Sequence, residues 1–169
     1  HSVRFGFGAG VDRKLHAAFE ARFGFPLIEA WAMTETGAGV CIAATGSQRG
    51  VGQNCFGMAT PEMQTRIVDD AGQDVADGTL GELLVRRAGD DPRFGFFRAY
   101  LKDPEATDAA WDGGWFHTGD IVMRDSDGLF FFRDRKKNII RRSGENIAAL
   151  EVETALMQHT GVTGLAVLS

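Results

Sequence analysis

The chain has 169 residues, of which 44% are hydrophobic and 24% are charged, and its formal net charge is −5. This length allows one domain or two small units, and the mildly acidic balance argues against a general nucleic-acid binder. No apolar run approaches the roughly 20 residues of a membrane-spanning helix, no signal-peptide pattern opens the chain, and Cys41 and Cys55 lack metal-type spacing, which favours a reducing, cytoplasmic location.

The first part of the chain predicts one strand–helix–strand unit. Residues 3–7 are typical of a strand, and Asp12 can cap a helix over 13–23, whose apolar residues recur every four positions. A short strand is predicted at 26–28, and it leads into the polar loop 31–37. In open α/β sheets ligands bind beyond the carboxyl ends of the strands, so we expect this loop to lie at a site.

The middle of the chain is rich in predicted β-structure. Strands are indicated at 64–69 and 81–86 by their alternation and by the turn signal that follows the first of them. A short helix is predicted near 104–111. Two further runs, 121–124 and 129–133, predict a hairpin around a Ser-Asp-Gly turn.

The last part of the chain predicts a small unit of a different character. A short strand at 138–141, a loop at 143–146 and a helix at 150–159 follow a candidate boundary at 133–137. The chain both begins and stops at apolar, strand-like runs, without the polar tails of natural termini. We therefore expect it to be a piece of a longer protein.

The loop Thr34-Glu35-Thr36-Gly37 is the first candidate site. Hydroxyl groups and a glycine backbone after a strand can bind phosphate oxygens, and a neighbouring carboxylate can hold Mg²⁺. An ordinary polar surface loop would have the same composition. Trp31, which precedes the loop, can stack on a base or fill the core, and the core is favoured on the residues alone.

Asp120 and a run of basic residues form the second candidate site. A carboxylate at a strand start can accept two hydrogen bonds from ribose hydroxyls, although a turn aspartate that bonds its own backbone is equally compatible. The basic run can meet a ribose, a phosphate or an acidic partner, or it can be a solvated face. It contains Arg135, Lys136, Lys137, Arg141 and Arg142.

The loop Gly144-Glu145-Asn146 is a third candidate, since exposed amides before a helix can bind an anion or line a channel. Ordinary helix-start hydrogen bonding gives the same pattern. The four histidines are scattered without the spacing of a metal site, and no Ser-His-Asp or Cys-His arrangement is present in the sequence.

The order and spacing of these segments resemble the adenylate-forming superfamily of acyl-CoA synthetases, peptide-synthetase adenylation domains and luciferases. The segments that carry the resemblance are WAMTETG from Trp31, GEL from Gly81, GWFHTGD from Gly114, RKKNIIRRSGENI from Arg135 and EVE from Glu151. The Gly-Glu-Asn-Ile ending is more similar to acyl-CoA ligases. The stretch from Asp134 to Glu151 resembles the crotonobetaine/carnitine-CoA ligase branch.

The resemblance implies a mixed α/β and β fold in three parts. Residues 1–45 would end a large α/β domain that carries the adenine and phosphate loop. Residues 46–134 would form a distorted, β-barrel-like subdomain. Residues 135–169 would hold the hinge and the start of a small α+β C-terminal domain.

The resemblance also implies a reaction. A small carboxylic acid and ATP, with Mg²⁺, would give an acyl-adenylate and pyrophosphate, and coenzyme A would then displace AMP. No nucleic acid or membrane span is implied, and a homo-oligomer is left open. Two alternatives remain: an enzyme that loads a carrier protein, and a non-catalytic binding module on the same scaffold.

Residue roles follow from the motifs by the same resemblance. Thr34, Glu35 and Lys137 would be catalytic, with Glu35 holding Mg²⁺ and Lys137 at the hinge. The nucleotide would meet Gly8, Ala9, Gly10, Trp31, Ala32, Met33, Thr34, Asp120 and Arg135, and coenzyme A would meet Ser143, Gly144 and Glu145. Ala32 stands where the family usually has glycine.

Two lysines of the family are absent from this sequence, one in an upstream phosphate loop and one late in the C-terminal domain. We therefore expect that the 169-residue chain alone does not complete adenylation. Acyl-CoA formation by the isolated chain would contradict this expectation.

Overall fold

The computed structural model describes residues 2–37, 42–46, 48–142 and 145–167, without the side chains of residues 141, 142, 145, 146 and 150. Its strands are β1 Gly6–Gly8, β2 Leu27–Trp31, β3 Ile42–Ala43, β4 Cys55–Gly57, β5 Met63–Val68, β6 Gly81–Arg87, β7 Phe116–Arg124, β8 Phe130–Arg135, β9 Ile139–Arg142 and β10 Glu145–Ala148. Its α-helices are α1 His16–Phe23, α2 Pro104–Ala110 and α3 Ala149–Leu156, and short 3₁₀ turns span Asp112–Gly114 and Lys136–Asn138.

The predicted strand–helix–strand unit is present, with shifted boundaries. Strand β1 pairs in parallel with β2, and its first residue, Gly6, lies opposite Leu27. Pairing between β1 and β2 starts only at Gly6, so residues 3–5 do not form the predicted strand. Helix α1 starts at His16 instead of residue 13, because Asp12 accepts a hydrogen bond from the Lys14 N–H (2.8 Å) and closes a turn ahead of the helix.

The apolar face of α1 is largely exposed in the described part of the chain. Leu15 is 61% exposed and Phe23 is 42% exposed, and Phe7 on β1 is 60% exposed. The sequence pattern correctly predicted an amphipathic helix, but the described residues do not bury its apolar side. Such a patch favours contact with another surface.

The core lies on one antiparallel sheet of five strands, in the order β4-β8-β7-β6-β5. Its buried side chains include Phe56, Leu83, Trp111 and Phe116. The mixed α/β and β class is confirmed. The sequence predicted a distorted, β-barrel-like subdomain. In the described residues the β-rich part is instead an open sheet, with β4 and β5 at its edges.

The predicted hairpin β7–β8 is confirmed, but β7 begins five residues before the predicted start, at Phe116. Its pairing with β6 shifts register, so that residues 118–120 of β7 face Leu83 alone on β6. Gly119 sits in this bulge with φ +68°, in the left-handed region that favours glycine. Asp120 therefore belongs to a bulged strand, and not to a turn ahead of one.

The last unit holds a two-stranded antiparallel sheet and α3. Strand β10 includes residues 145–146, which were predicted as loop, and α3 ends at Leu156, three residues before the predicted end. Residues 164–167 do not form the predicted strand. The three-part domain division stays a prediction. No helix in the described part of the chain is both long and apolar enough to cross a membrane.

Candidate functional site

A cleft of about 860 Å³ lies where the end of β2, the bulge of β7 and the end of β8 meet. The loop after β2 and the distant β7–β8 hairpin contribute to its walls. The lining residues are Ala32, Met33, Thr34, Glu35, Gly119, Arg135, Lys136 and Lys137. Six of the predicted site residues therefore lie on one surface: Ala32, Met33, Thr34, Glu35, Arg135 and Lys137.

Asp120 lies in the wall behind this cleft, between two predicted nucleotide contacts. Its Oδ2 accepts a hydrogen bond from the indole N–H of Trp31 (2.7 Å), and its Oδ1 lies 2.8 Å from Nε of Arg135. Strands β7 and β8 make this pairing inevitable, because Asp120 lies directly opposite Arg135 in their register. Trp31 itself is buried in the core beside Phe56.

The Asp120 carboxylate is only 1% exposed, so burial is the main reason that its pKa is raised. The Trp31 hydrogen bond and the Arg135 charge act in the opposite direction. In the described residues Oδ1 accepts no hydrogen bond, because the Arg135 guanidinium is close to it but poorly aligned. One acceptor oxygen of a buried carboxylate thus lies beneath a half-exposed arginine at the cleft wall.

The loop after β2 is a rigid turn. Thr36 is fully buried, and its hydroxyl donates to the Met33 carbonyl (3.0 Å). Gly37 has φ +66°, and an added Cβ would collide with the Gly95 carbonyl oxygen. The turn leaves Thr34 exposed and Glu35 half-buried on the cleft side. The turn thus places an exposed hydroxyl next to a carboxylate at the cleft.

Glu35 fits the role of a ligand to an Mg²⁺ ion that is shared with substrate phosphates. Its Oε1 accepts a hydrogen bond from the Tyr100 hydroxyl (3.1 Å), and the residue lines the cleft. The described residues contain no group of three or more carboxylate, histidine or cysteine side chains that could hold a metal. One carboxylate suits Mg²⁺ when substrate phosphates and water supply the other oxygens.

A second buried carboxylate, Glu82, fixes the other wall of the cleft. It accepts hydrogen bonds from Lys136 Nζ (2.7 Å) and from the backbone N–H of Gly119 (3.2 Å). Sequence reasoning assigned no role to Glu82 or to Tyr100. The available signals were the carboxylate that directly precedes the apolar run Leu83-Leu84-Val85 of a strand, and the single tyrosine of the chain, at the end of an aromatic run.

Other predicted site residues lie elsewhere. Gly8 is the last residue of β1, opposite Glu29 of β2, and Ala9 and Gly10 follow it; none of the three lines the cleft. Lys137 lines it from the 3₁₀ turn between β8 and β9. Ser143 and Gly144 lie outside the described residues. Glu145 begins β10, and its side chain also lies outside the description.

The sequence profile of the AMP-binding enzyme family matches residues 1–101, which is more than half of the chain. The chain belongs to this family, as the motifs predicted.

Three comparisons show how the chain relates to known members. It is 36% identical to sulfoacetate–CoA ligase from Cupriavidus necator over 157 residues, which cover 91% of the chain and 29% of that protein. It is 34% identical to crotonobetaine/carnitine–CoA ligase from Proteus mirabilis, over 89% of the chain and 28% of that protein. The structure of O-succinylbenzoate coenzyme A synthetase from Bacillus subtilis in complex with ATP and magnesium superposes with a TM-score of 0.76 at 27% identity, over 96% of this chain and 33% of that one.

The chain thus spans roughly three tenths of the length of these relatives.

Proposed function

We propose that this chain forms the ribose- and metal-binding part, together with the hinge, of an ATP-dependent acid–thiol ligase. In this proposal Thr34 and Glu35 face the phosphates and Mg²⁺, Asp120 and Arg135 hold the ribose, and Lys137 is the pivot. Adenine lies near Trp31, Ala32 and Met33 and the turn of Gly8, Ala9 and Gly10. Coenzyme A approaches Ser143, Gly144 and Glu145. We propose the cytoplasm as the location.

The proposed reaction has two steps. A carboxylate oxygen attacks the α-phosphorus of ATP, the bond to the bridging oxygen breaks, and pyrophosphate leaves. The thiol of coenzyme A then loses its proton to solvent water, its sulfur attacks the acyl carbonyl carbon, and AMP leaves with the electrons of the broken C–O bond. The protein contributes by positioning the reactants and by neutralising phosphate charge.

The observation that carries this proposal is the convergence of the loop after β2 with the distant β7–β8 hairpin on one cleft. Thr34 and Glu35 come from the loop after β2, Gly119 from the bulge of β7, and Arg135 and Lys137 from the end of β8 and beyond. If the polar loop and the basic run were only solvated surface, they would not be expected to line the same cleft. In the cleft, the oxygen groups of the loop lie opposite the cationic side chains, which is the arrangement that a metal-bound polyphosphate requires.

The ribose part of the proposal requires a local rearrangement. Asp120 Oδ1 is covered by the guanidinium of Arg135, whose side chain is 42% exposed. Turning Arg135 away breaks its hydrogen bond to the Thr118 carbonyl (3.2 Å) and leaves the buried carboxylate without its cation. Ribose hydroxyls that donate to Asp120 would offset this cost, while Trp31 keeps the carboxylate in place. We infer that ribose hydroxyls take the space beside Asp120 while Arg135 turns to meet the ribose or the α-phosphate.

The test uses a protein of the relatives' length that contains this chain. Pyrophosphate release is measured with a panel of small carboxylic acids, including sulfoacetate, crotonobetaine and carnitine, with and without coenzyme A. Glu35→Gln is the site variant. Asp77→Asn is its control, because Asp77 is a half-exposed carboxylate paired with Arg124 outside the cleft.

The proposal predicts acid-dependent pyrophosphate and AMP, a CoA thioester as product, a large loss in Glu35→Gln, and little change in Asp77→Asn. Release without any CoA thioester would point to another acceptor, such as a carrier-protein thiol. Absence of acid-dependent release with every acid would contradict the ligase assignment.

A further inference from the structure

The segment of residues 95–100 holds Glu35 by both its backbone and its side chain. The backbone N–H of Phe97 donates to the Glu35 carbonyl (2.8 Å), and the Tyr100 hydroxyl donates to Glu35 Oε1 (3.1 Å). The same segment also lies against Gly37, so that a Cβ added to Gly37 would collide with the carbonyl oxygen of Gly95. These contacts join parts of the chain that are about 60 residues apart, with a separation of 65 for Tyr100 and Glu35.

This segment is itself anchored in the core of the five-stranded sheet. The Phe96 ring meets Trp111 edge-on at 4.9 Å between centroids, and the Phe97 ring meets Phe116 at 5.9 Å. Packed aromatic pairs of this kind add stability beyond what burial alone gives. Through Phe96 and Phe97, the segment is packed against the core of the sheet.

Tyr100 is held by its backbone and by its ring as well as by its hydroxyl. Its backbone N–H donates to Thr107 Oγ1 (3.0 Å) at the first turns of α2, and its ring packs on Phe97 at 4.7 Å. An ordinary phenol keeps its proton at neutral pH, so the Tyr100 hydroxyl is a donor to the Glu35 carboxylate.

The geometry divides the two oxygens of Glu35 between two tasks. An ionised carboxylate can only accept hydrogen bonds, and Oε1 is taken by the Tyr100 hydroxyl. A bond at one oxygen fixes the rotation of the carboxylate plane, and it leaves the other oxygen for a cation in the cleft. Partners that orient a metal ligand in this way commonly change metal affinity by 10- to 100-fold.

We propose that Tyr100 is a positioning residue that orients the Glu35 carboxylate for a divalent cation bound with the nucleotide phosphates. This inference rests on the proposed function, since it takes Glu35 as the metal ligand. It adds a residue 65 positions away that touches neither the nucleotide nor the cation and acts only through Glu35.

The test measures binding of Mn²⁺, a paramagnetic substitute for Mg²⁺, by electron paramagnetic resonance in the presence of ATP, with ATP alone as the blank. The variants are Tyr100→Phe, Glu35→Gln and the two combined. Tyr100→Phe keeps the ring that packs on Phe97 and removes only the hydroxyl. Gln64→Leu is the control, because it removes one hydrogen bond, to Arg86, outside the cleft.

The inference predicts that Tyr100→Phe weakens protein-dependent Mn²⁺ binding about 10-fold. It also predicts that this loss disappears in the Glu35→Gln background, because the hydroxyl acts only through that carboxylate. Gln64→Leu is expected to bind Mn²⁺ as the wild type does. Circular dichroism at the assay temperature checks that each variant is folded.

Two results would overturn the inference, and they are distinguishable. If Glu35→Gln loses Mn²⁺ binding while Tyr100→Phe keeps wild-type affinity, Tyr100 has no positioning role and the proposed metal site stands. If the wild type shows no protein-dependent Mn²⁺ binding, or if Glu35→Gln leaves it unchanged, the metal site itself fails and the inference fails with it.

Discussion

Glu20 gives the sharpest prediction about stability, because its half-buried carboxylate ties helix α1 to strand β2. Its two oxygens accept hydrogen bonds from both terminal nitrogens of Arg49, at 2.7 and 2.9 Å. Oε1 also accepts from the backbone N–H of Leu27 (2.7 Å), at the start of β2. These bonds stabilise the ionised form and lower the pKa of Glu20 from 4.5 to about 2. The largest single cause is the hydrogen bond from Arg49.

The lowered pKa fixes both the size and the pH range of the effect. A fall from 4.5 to about 2 corresponds to about 3 kcal/mol of stability at neutral pH, since one pKa unit is about 1.4 kcal/mol. Both side chains are 19% exposed, and solvent screening reduces the expected value to about 2 kcal/mol. Because the folded-state pKa is depressed, this stability is present above pH 4.5 and is lost as the pH falls toward 2.

The contribution of the Glu20 carboxylate is measured by urea unfolding across pH 2–7. The proteins compared are the wild type, Glu20→Gln and an exposed-carboxylate control, Asp90→Asn. We expect Glu20→Gln to lower the free energy of unfolding by about 2 kcal/mol at pH 7, and to converge with the wild type near pH 2. Parallel pH profiles for wild type and Glu20→Gln, at any separation, would refute the role given to the ionised carboxylate.

Three further outcomes follow from the structure. Gly37→Ala should destabilise the fold by about 2 kcal/mol or more, since φ is +66° and the Gly95 carbonyl blocks a Cβ; an unchanged urea midpoint would contradict the tight turn. Lys136→Met should cost about 1 kcal/mol by leaving the buried Glu82 carboxylate without its cation, and a neutral result would mean that solvent compensates that charge. Tyr100, the one tyrosine in the sequence, should ionise above pH 10 in an absorbance titration at 295 nm; ionisation at or below 10 would contradict a half-buried hydroxyl that donates to the Glu35 carboxylate.

Local patterns predicted the elements that depend on neighbouring residues. The alternation at 64–69 and the turn after it correspond to Met63–Val68, and the Ser-Asp-Gly turn correctly located the β7–β8 hairpin. Turn chemistry and strand alternation act over a few residues, so they can be read from sequence alone. The cleft residues were found in the same way, through short motifs whose spacing resembled a known family.

Contacts between distant segments could not be predicted in this way. The Lys136–Glu82 bond spans 54 positions, and the sequence offers several other acidic partners for that lysine. The bulge at Gly119 depends on the register between β6 and β7, which no local signal fixes. Asp120 lies opposite Arg135 through the register between β7 and β8, which itself shifts between Ile121 and Val122. The amphipathic pattern of α1 likewise predicted a helix but not which surface covers its apolar face.

The most direct test of the account is a comparison of AMP with 2′,3′-dideoxy-AMP in calorimetric titrations of the wild type and Asp120→Asn. If the buried carboxylate accepts ribose hydroxyls, the dideoxy nucleotide should bind about 10- to 100-fold more weakly to the wild type, as expected for lost hydrogen bonds to a charged group. That difference should shrink in Asp120→Asn. Equal affinity of the wild type for both nucleotides would contradict the assignment of Asp120 and Arg135 to a ribose site.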